Sequence, residues 1–182
     1  MKKLLLLSAF LTGALGVFAQ GTVNFANGAA GVNAPVTNAT VSPSVLASGP
    51  AFQVQLYVGP AGATSASQLS TNGVGGAPAP LATGASSGYF FGGARDITGF
   101  TPGSAATLQV RAWTGGASSW ETATQRGESN LIPISLGGGT IPTPNMVGLQ
   151  GFAVTGGVVP EPSSIALGLL GLGAIVLFRR RK

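Results

Sequence analysis

Glu121 and Glu128 are the two side-chain carboxylates of this chain that could share one loop. Two carboxylates at a suitable separation are all that glycoside hydrolysis asks for, one as acid and one as base or nucleophile. Arg126 stands between them. An Arg and two Glu within a polar loop read more simply as solvated ion pairs, and Arg95-Asp96 reads the same way at a turn. Little else could react. Asp96 is the third and last carboxylate of residues 20–157, the chain has no His and no Cys, and its lysines sit only at the two ends. Ser/His/Asp and Cys/His arrangements are therefore impossible, the usual zinc ligand sets cannot be assembled, and a Schiff base lacks its amine. Asp96 and the carbonyls of Gly-rich loops could share calcium, but one acid is weak support for such a site. The expectation is a non-enzymatic body without metal or cofactor. A binding role remains open through Trp113, Trp120 and Tyr57, whose aromatic faces would stack on sugars if they stood exposed.

These residues must be positioned by strands. Between Gly21 and Gly157 no apolar pattern keeps helical spacing, and Gly or Pro interrupts almost every candidate window. Thr22–Ala26 alternates polar and apolar residues. Phe52–Val58 does so more strongly, with Phe52, Val54, Leu56 and Val58 on one face and Gln53, Gln55 and Tyr57 on the other. Thr107–Trp113 repeats the device, predicting Leu108, Val110 and Ala112 inward and Gln109, Arg111 and Trp113 outward. Weaker strands are expected at Gly88–Phe91, Leu131–Leu136 and Gly151–Thr155. The pairs Gly75-Gly76, Gly92-Gly93 and Gly115-Gly116 and the triplet Gly137–Gly139 should mark strand ends. They lack the helix and the Lys-Ser/Thr ending of a phosphate loop. Short strands without helical crossovers predict an all-β fold, a single antiparallel β-sandwich of jelly-roll or immunoglobulin-like topology. Residues 61–87, rich in small residues and poor in large apolar ones, are expected to form a flexible surface insert within a domain spanning 20–157.

The two ends carry a different kind of information. Lys2 and Lys3 precede an apolar run from Leu4 to Phe18, and Ala19 before Gln20 offers a small residue at a cleavage position. Residues 1–19 therefore read as a secretory signal peptide, implying the secretion translocon and signal peptidase as partners. At the other end Pro160-Glu161-Pro162 is followed by the uncharged run 163–178 and by Arg179, Arg180, Arg181 and Lys182. As a helix that run would cover roughly 24 Å of a hydrocarbon layer about 30 Å thick. The four cations would stay on the cytoplasmic side, leaving everything before Pro160 outside, where an exported N-terminus also belongs.

The segment 158–182 closely resembles the PEP-CTERM sorting signal of diderm bacteria: the motif 160–162, a transmembrane helix over 163–178 and a basic tail over 179–182. The resemblance implies recognition by exosortase, an integral-membrane protease or transpeptidase that removes the helix. It implies passage through a transient inner-membrane anchor to the cell envelope or extracellular matrix. The chemistry suits that role, because Pro160 and Pro162 keep the chain extended and Glu161 presents a single carboxylate outside the bilayer. More loosely, the stretches 20–27 and 141–152 look like those of other PEP-CTERM proteins, which implies a β-rich exported body and no activity.

A formal net charge of +5 invites thoughts of nucleic acid. Removing the two ends removes them, since Arg95, Arg111 and Arg126 face Asp96, Glu121 and Glu128 in number, and no basic patch remains to hold DNA or RNA. Without cysteine the exported domain must be stabilised by its core alone. The favoured expectation is an envelope or matrix protein sorted by exosortase. The alternatives are a binding module for extracellular polysaccharide that uses the same route, and a permanently membrane-anchored envelope protein.

Overall fold

The computed structural model describes residues 20–114 and 116–156, so the expected signal peptide with its Ala19 cleavage position, the motif Pro160, Glu161 and Pro162, the expected span 163–178 and the tail Arg179, Arg180, Arg181 and Lys182 lie outside the described residues. Among the described residues no helix is long and apolar enough to cross a membrane. The chain is all-β. Its strands are β1 (Gly21–Ala26), β2 (Gly28–Ala29), β3 (Val32–Asn33), β4 (Val36–Asn38), β5 (Val45–Leu46), β6 (Gln53–Pro60) and β7 (Ala79–Pro80), then β8 (Phe91–Ile97), β9 (Ala105–Thr114), β10 (Gln125–Glu128), β11 (Ile132–Ser135) and β12 (Phe152–Gly156).

The two strongest period-two patterns become the centre of the sheet. Strands β6 and β9 pair antiparallel over the whole of β6, from Gln53 opposite Trp113 to Pro60 opposite Ala106. Val54, Leu56 and Val58 join Leu108, Val110 and Ala112 on one face, all buried in the main core. The opposite edge of β9 is divided between two partners, β10 against Arg111–Thr114 and β11 against Ala105–Leu108. Between them the chain steps aside at Ser129: its hydroxyl accepts from the Val110 N–H at 3.0 Å, and its own N–H donates to the Val110 carbonyl at 2.9 Å. A strand edge split in this way bends, and the natural right-handed twist adds to the bend.

The resulting sheet, ordered β5-β4-β12-β10-β9-β6-β7 with β11 beside β9, curls into a half-barrel. The two-stranded ribbon β1-β8 shares its core, with Val23, Phe25 and Ile97 packed in the same cluster as Val54 and Val110. This corrects the β-sandwich expectation. Alternation identifies which side chains share a buried face, but a curled sheet and a second facing sheet satisfy that face equally well. The sheet is not purely antiparallel either, because β12 runs parallel to β4.

Two further expectations shift. The segment expected at Gly88–Phe91 becomes a strand only from Phe91 onward, so Gly92 and Gly93 lie within β8 rather than at its end. Gly92 packs so closely on the Phe25 ring that a Cβ there would collide with it. Residues 61–87 lie against the body instead of hanging free. Ala63, Leu69, Ala79 and Leu81 are buried, and Val58 and Ser70 exchange two backbone hydrogen bonds of 2.9 Å. A short 3-10 turn at Ala66–Gln68 is closed by reciprocal bonds between Ser65 and Gln68. The few apolar residues of this small-residue stretch are the ones the fold uses.

Asn27 fastens the start of the domain to the entrance of β8. Fully buried, its amide donates to the carbonyls of Ala34 at 2.7 Å and Gly88 at 2.8 Å, and its Oδ1 accepts from the Phe90 N–H at 2.7 Å. A buried polar side chain that satisfies three backbone groups at once replaces a missing piece of sheet.

Candidate functional site

The polar face of β6 and β9 carries Gln53, Gln55 and Tyr57 opposite Trp113, Arg111 and Gln109, and β10 extends it with Arg126 beside Trp113 and Glu128 beside Arg111. That face is covered at its centre, while Glu121 and Glu128 stand 56% and 43% exposed at the rim. Ala63 and Leu69 close over Tyr57 from one side, and Trp120 covers Arg111 from the other. Arg111 is only 6% exposed and Trp113 1%.

Arg111 is the centre of the cluster. Its guanidinium carbon lies 4.0 Å from the ring centre of Tyr57 and 4.5 Å from that of Trp120. Nε donates to Gln109 Oε1 at 3.0 Å and Nη2 to the Ala66 carbonyl at 2.8 Å. Glu128 Oε2 stands 3.6 Å from Nε and Glu121 Oε1 3.9 Å from Nη1. A buried cation needs this many partners, because its desolvation must be offset by hydrogen bonds, opposite charge and the negative faces of aromatic rings. Gln109 is held in turn by the Ser129 carbonyl at 2.9 Å.

The covering loop is built from the same vocabulary. Trp120 Nε1 donates to the Gly127 carbonyl at 3.0 Å and Trp113 Nε1 to the Ala117 carbonyl at 2.9 Å. Arg126 lies over the Trp120 ring at 4.5 Å and donates to the Glu121 carbonyl at 3.1 Å. The tightest contact is the Tyr57 hydroxyl donating to Glu121 Oε1 at 2.6 Å. Burial, and then that bond, push the Tyr57 phenol up to about 12. The same bond from Tyr57 holds the Glu121 carboxyl below its ordinary value, against a smaller opposing effect of burial.

These geometries decide what the sequence-level candidates can do. Glu121 and Glu128, weighed as a glycosidase pair, both lean on one guanidinium, and Glu121 accepts the Tyr57 hydroxyl as well. Of the aromatic residues proposed for sugar stacking, Tyr57 and Trp113 are buried, which corrects the outward reading of Trp113, and the half-buried Trp120 already carries two guanidinium groups over its ring. Asp96, weighed as a calcium ligand, is exposed on β8 opposite Thr22, and among the described residues no three potential metal-ligating side chains of the His, Cys, Asp and Glu types gather. Neighbouring Arg95 lies over Phe25 at 5.3 Å, donates to the Gly75 carbonyl at 3.1 Å, and keeps a buried Nε without a partner among the described residues.

Sequence reasoning missed the role of Arg111, Gln109 and the Tyr57 hydroxyl. The available signal was the run Gln-x-Arg-x-Trp on the long strand opposite Gln-x-Tyr on its neighbour. Side chains that large and that aromatic on two central strands call for a cover, not for solvent.

The chemistry that remains readable lies in the C-terminal segment. The family model that matches this chain is the PEP-CTERM protein-sorting motif, over residues 158–182. Neither a search of curated proteins nor one of solved structures returns a match. The chain therefore carries a PEP-CTERM sorting signal at residues 158–182, attached to the last strand of a β-rich body.

Proposed function

We propose that this is an exported, non-enzymatic protein of the envelope or extracellular matrix, anchored briefly in the inner membrane by its C-terminal segment and then processed by exosortase. The observation that carries the reading is the sorting motif over residues 158–182. The body supports it by what it does with its reactive groups. Arg111, Glu121, Glu128 and the Tyr57 hydroxyl are spent on one another as an internal staple, an economy that suits a domain made to persist outside the cell without disulfides. Binding to extracellular polysaccharide through Tyr57 and Trp113 would require the cover of the polar face to open.

Intact-mass analysis of the native protein tests the proposal. The expected mature species starts at Gln20 and lacks Ile165 to Lys182, and Glu161→Ala accumulates as uncut, membrane-bound precursor because the handle has lost its one charge. Normal processing of that variant, or a native mass that retains the C-terminal segment, would overturn the exosortase assignment and favour a permanent anchor.

A further inference from the structure

The position of β12 fixes the end of the body from which the C-terminal segment leaves. Its last residue, Gly156, is paired with Gln125 at the start of β10, and on its other side Val154 lies opposite Asn38, with the Ala39 N–H donating to the Val154 carbonyl at 2.9 Å. The chain thus leaves the half-barrel beside two connections that start at the same end, residues 39–44 joining β4 to β5 and residues 116–124 joining β9 to β10, the second folding back over the polar face. Six residues, 157–162, then separate Gly156 from the apolar run. Even fully extended they reach only about 20 Å.

That end has an unusual surface. Val41, Val45 and Leu46, exposed by 46%, 51% and 45%, are three of the six large apolar side chains that stand exposed among the described residues. They belong to one hairpin, in which Asn38 pairs with Val45 and Thr37 with Leu46. No charged residue occurs anywhere between Lys3 and Arg95, so the hairpin brings no charge of its own to an apolar layer. Across the exit, Arg126 pairs with Thr155 and lies over Trp120. The charges near this exit balance, Arg111 and Arg126 against Glu121 and Glu128, which points to apolar contact rather than attraction to anionic lipid.

We propose that the β4-β5 hairpin, flanked by the Trp120 loop, is a lipid-interface contact that seats the body on the outer surface of the membrane while the C-terminal segment is still inserted. This rests on the transient anchoring described above. Seating would keep the point where the chain leaves the body close to the bilayer, within reach of a membrane protease. The patch is small, and one weak apolar contact does not keep a protein on a bilayer by itself, so removal of the anchor releases the body.

The test uses the full chain in vesicles of phosphatidylcholine. With no native cysteine, single fluorophores can be attached through Val45→Cys, Ala61→Cys and Ile175→Cys and quenched by doxyl-labelled lipid. Ala61 follows β6 at the far end of the sheet, about 25 Å along the strand from the exit. The expected result is strong quenching at 175, at least threefold more quenching at 45 than at 61, and loss of the difference when Val41→Asp and Leu46→Asp are combined. Quenching at 175 with equal signals at 45 and 61 would overturn the seating while leaving the anchor intact. Absence of quenching at 175 would overturn both. Quenching at 45 that needs anionic lipid or vanishes in high salt would overturn the apolar contact in favour of a charged one.

Discussion

The hydroxyl of Tyr57 on β6 donates to Glu121 in the β9-β10 loop at 2.6 Å, and Arg111 fills the space between them and Trp120. This contact turns an exposed loop into the lid of a polar interior, and its energetics are open to measurement.

Removing the cation should expose how much the cluster depends on it. Arg111→Ala leaves the exposed Glu121 and Glu128 to water, empties the gap between two rings and frees the Gln109 and Ala66 acceptors, at a cost of about 2 kcal/mol in urea denaturation, set by lost packing and hydrogen bonds. Arg111→Met keeps an unbranched stem between the rings and removes the buried charge together with its desolvation, so its cost should fall to about 1 kcal/mol. An equal loss in both variants would mean that charge, not packing, holds the lid.

The pH dependence follows from the two shifted groups. Glu121 titrates lower in the folded chain than in the unfolded one, so its contribution is complete above the unfolded value of 4.5 and is lost as pH falls through the folded value. Tyr57 is raised to about 12, so its contribution is complete below the unfolded value of 10.0 and is lost as pH climbs toward 12. Stability should be level across the intervening range and decline at both extremes. Tyr57→Phe removes the largest cause of the Glu121 shift, and its acid transition should therefore begin at higher pH, as read by Trp fluorescence.

Gly127 lies on β10 opposite Ala112, where an added Cβ would fall on the carbonyl oxygen of Ala153 in β12. The obstacle is backbone and cannot rotate away. Gly127→Ala should destabilise the domain by about 2 kcal/mol or more, with amide exchange accelerated first in Phe152–Gly156. Ordinary stability would show that the two strands can part without loss.

Asn27→Ala orphans the buried Phe90 N–H and takes a donor from the carbonyls of Ala34 and Gly88, the latter keeping the Val36 N–H, for an expected loss of about 2 kcal/mol in chemical denaturation. Asn27→Asp should be worse at neutral pH, since a carboxylate would then face the carbonyl oxygens of Ala34 and Gly88. An aspartate variant as stable as wild type would contradict the donor assignment of this amide.

The amino-acid sequence by itself determined the address and the building elements. A polar-flanked apolar run with terminal cations is a local pattern, and it reads the same whatever the body does, as the match over residues 158–182 bears out. Strands β1, β6, β9, β11 and β12 were legible because period-two alternation over Thr22–Ala26, Phe52–Val58 and Thr107–Trp113, and turn residues around the shorter runs, are also local. The short β4, β5, β7 and β10 carry too few residues to show a period. Tertiary structure alone decided that the sheet curls, because the split edge of β9 arises from where β10 and β11 dock. It also decided that the polar face is an interior. Alternation assigns side chains to faces, but whether a face meets water depends on distant segments folding over it, and here Leu69 and Trp120 do so from opposite sides of Arg111 in the chain.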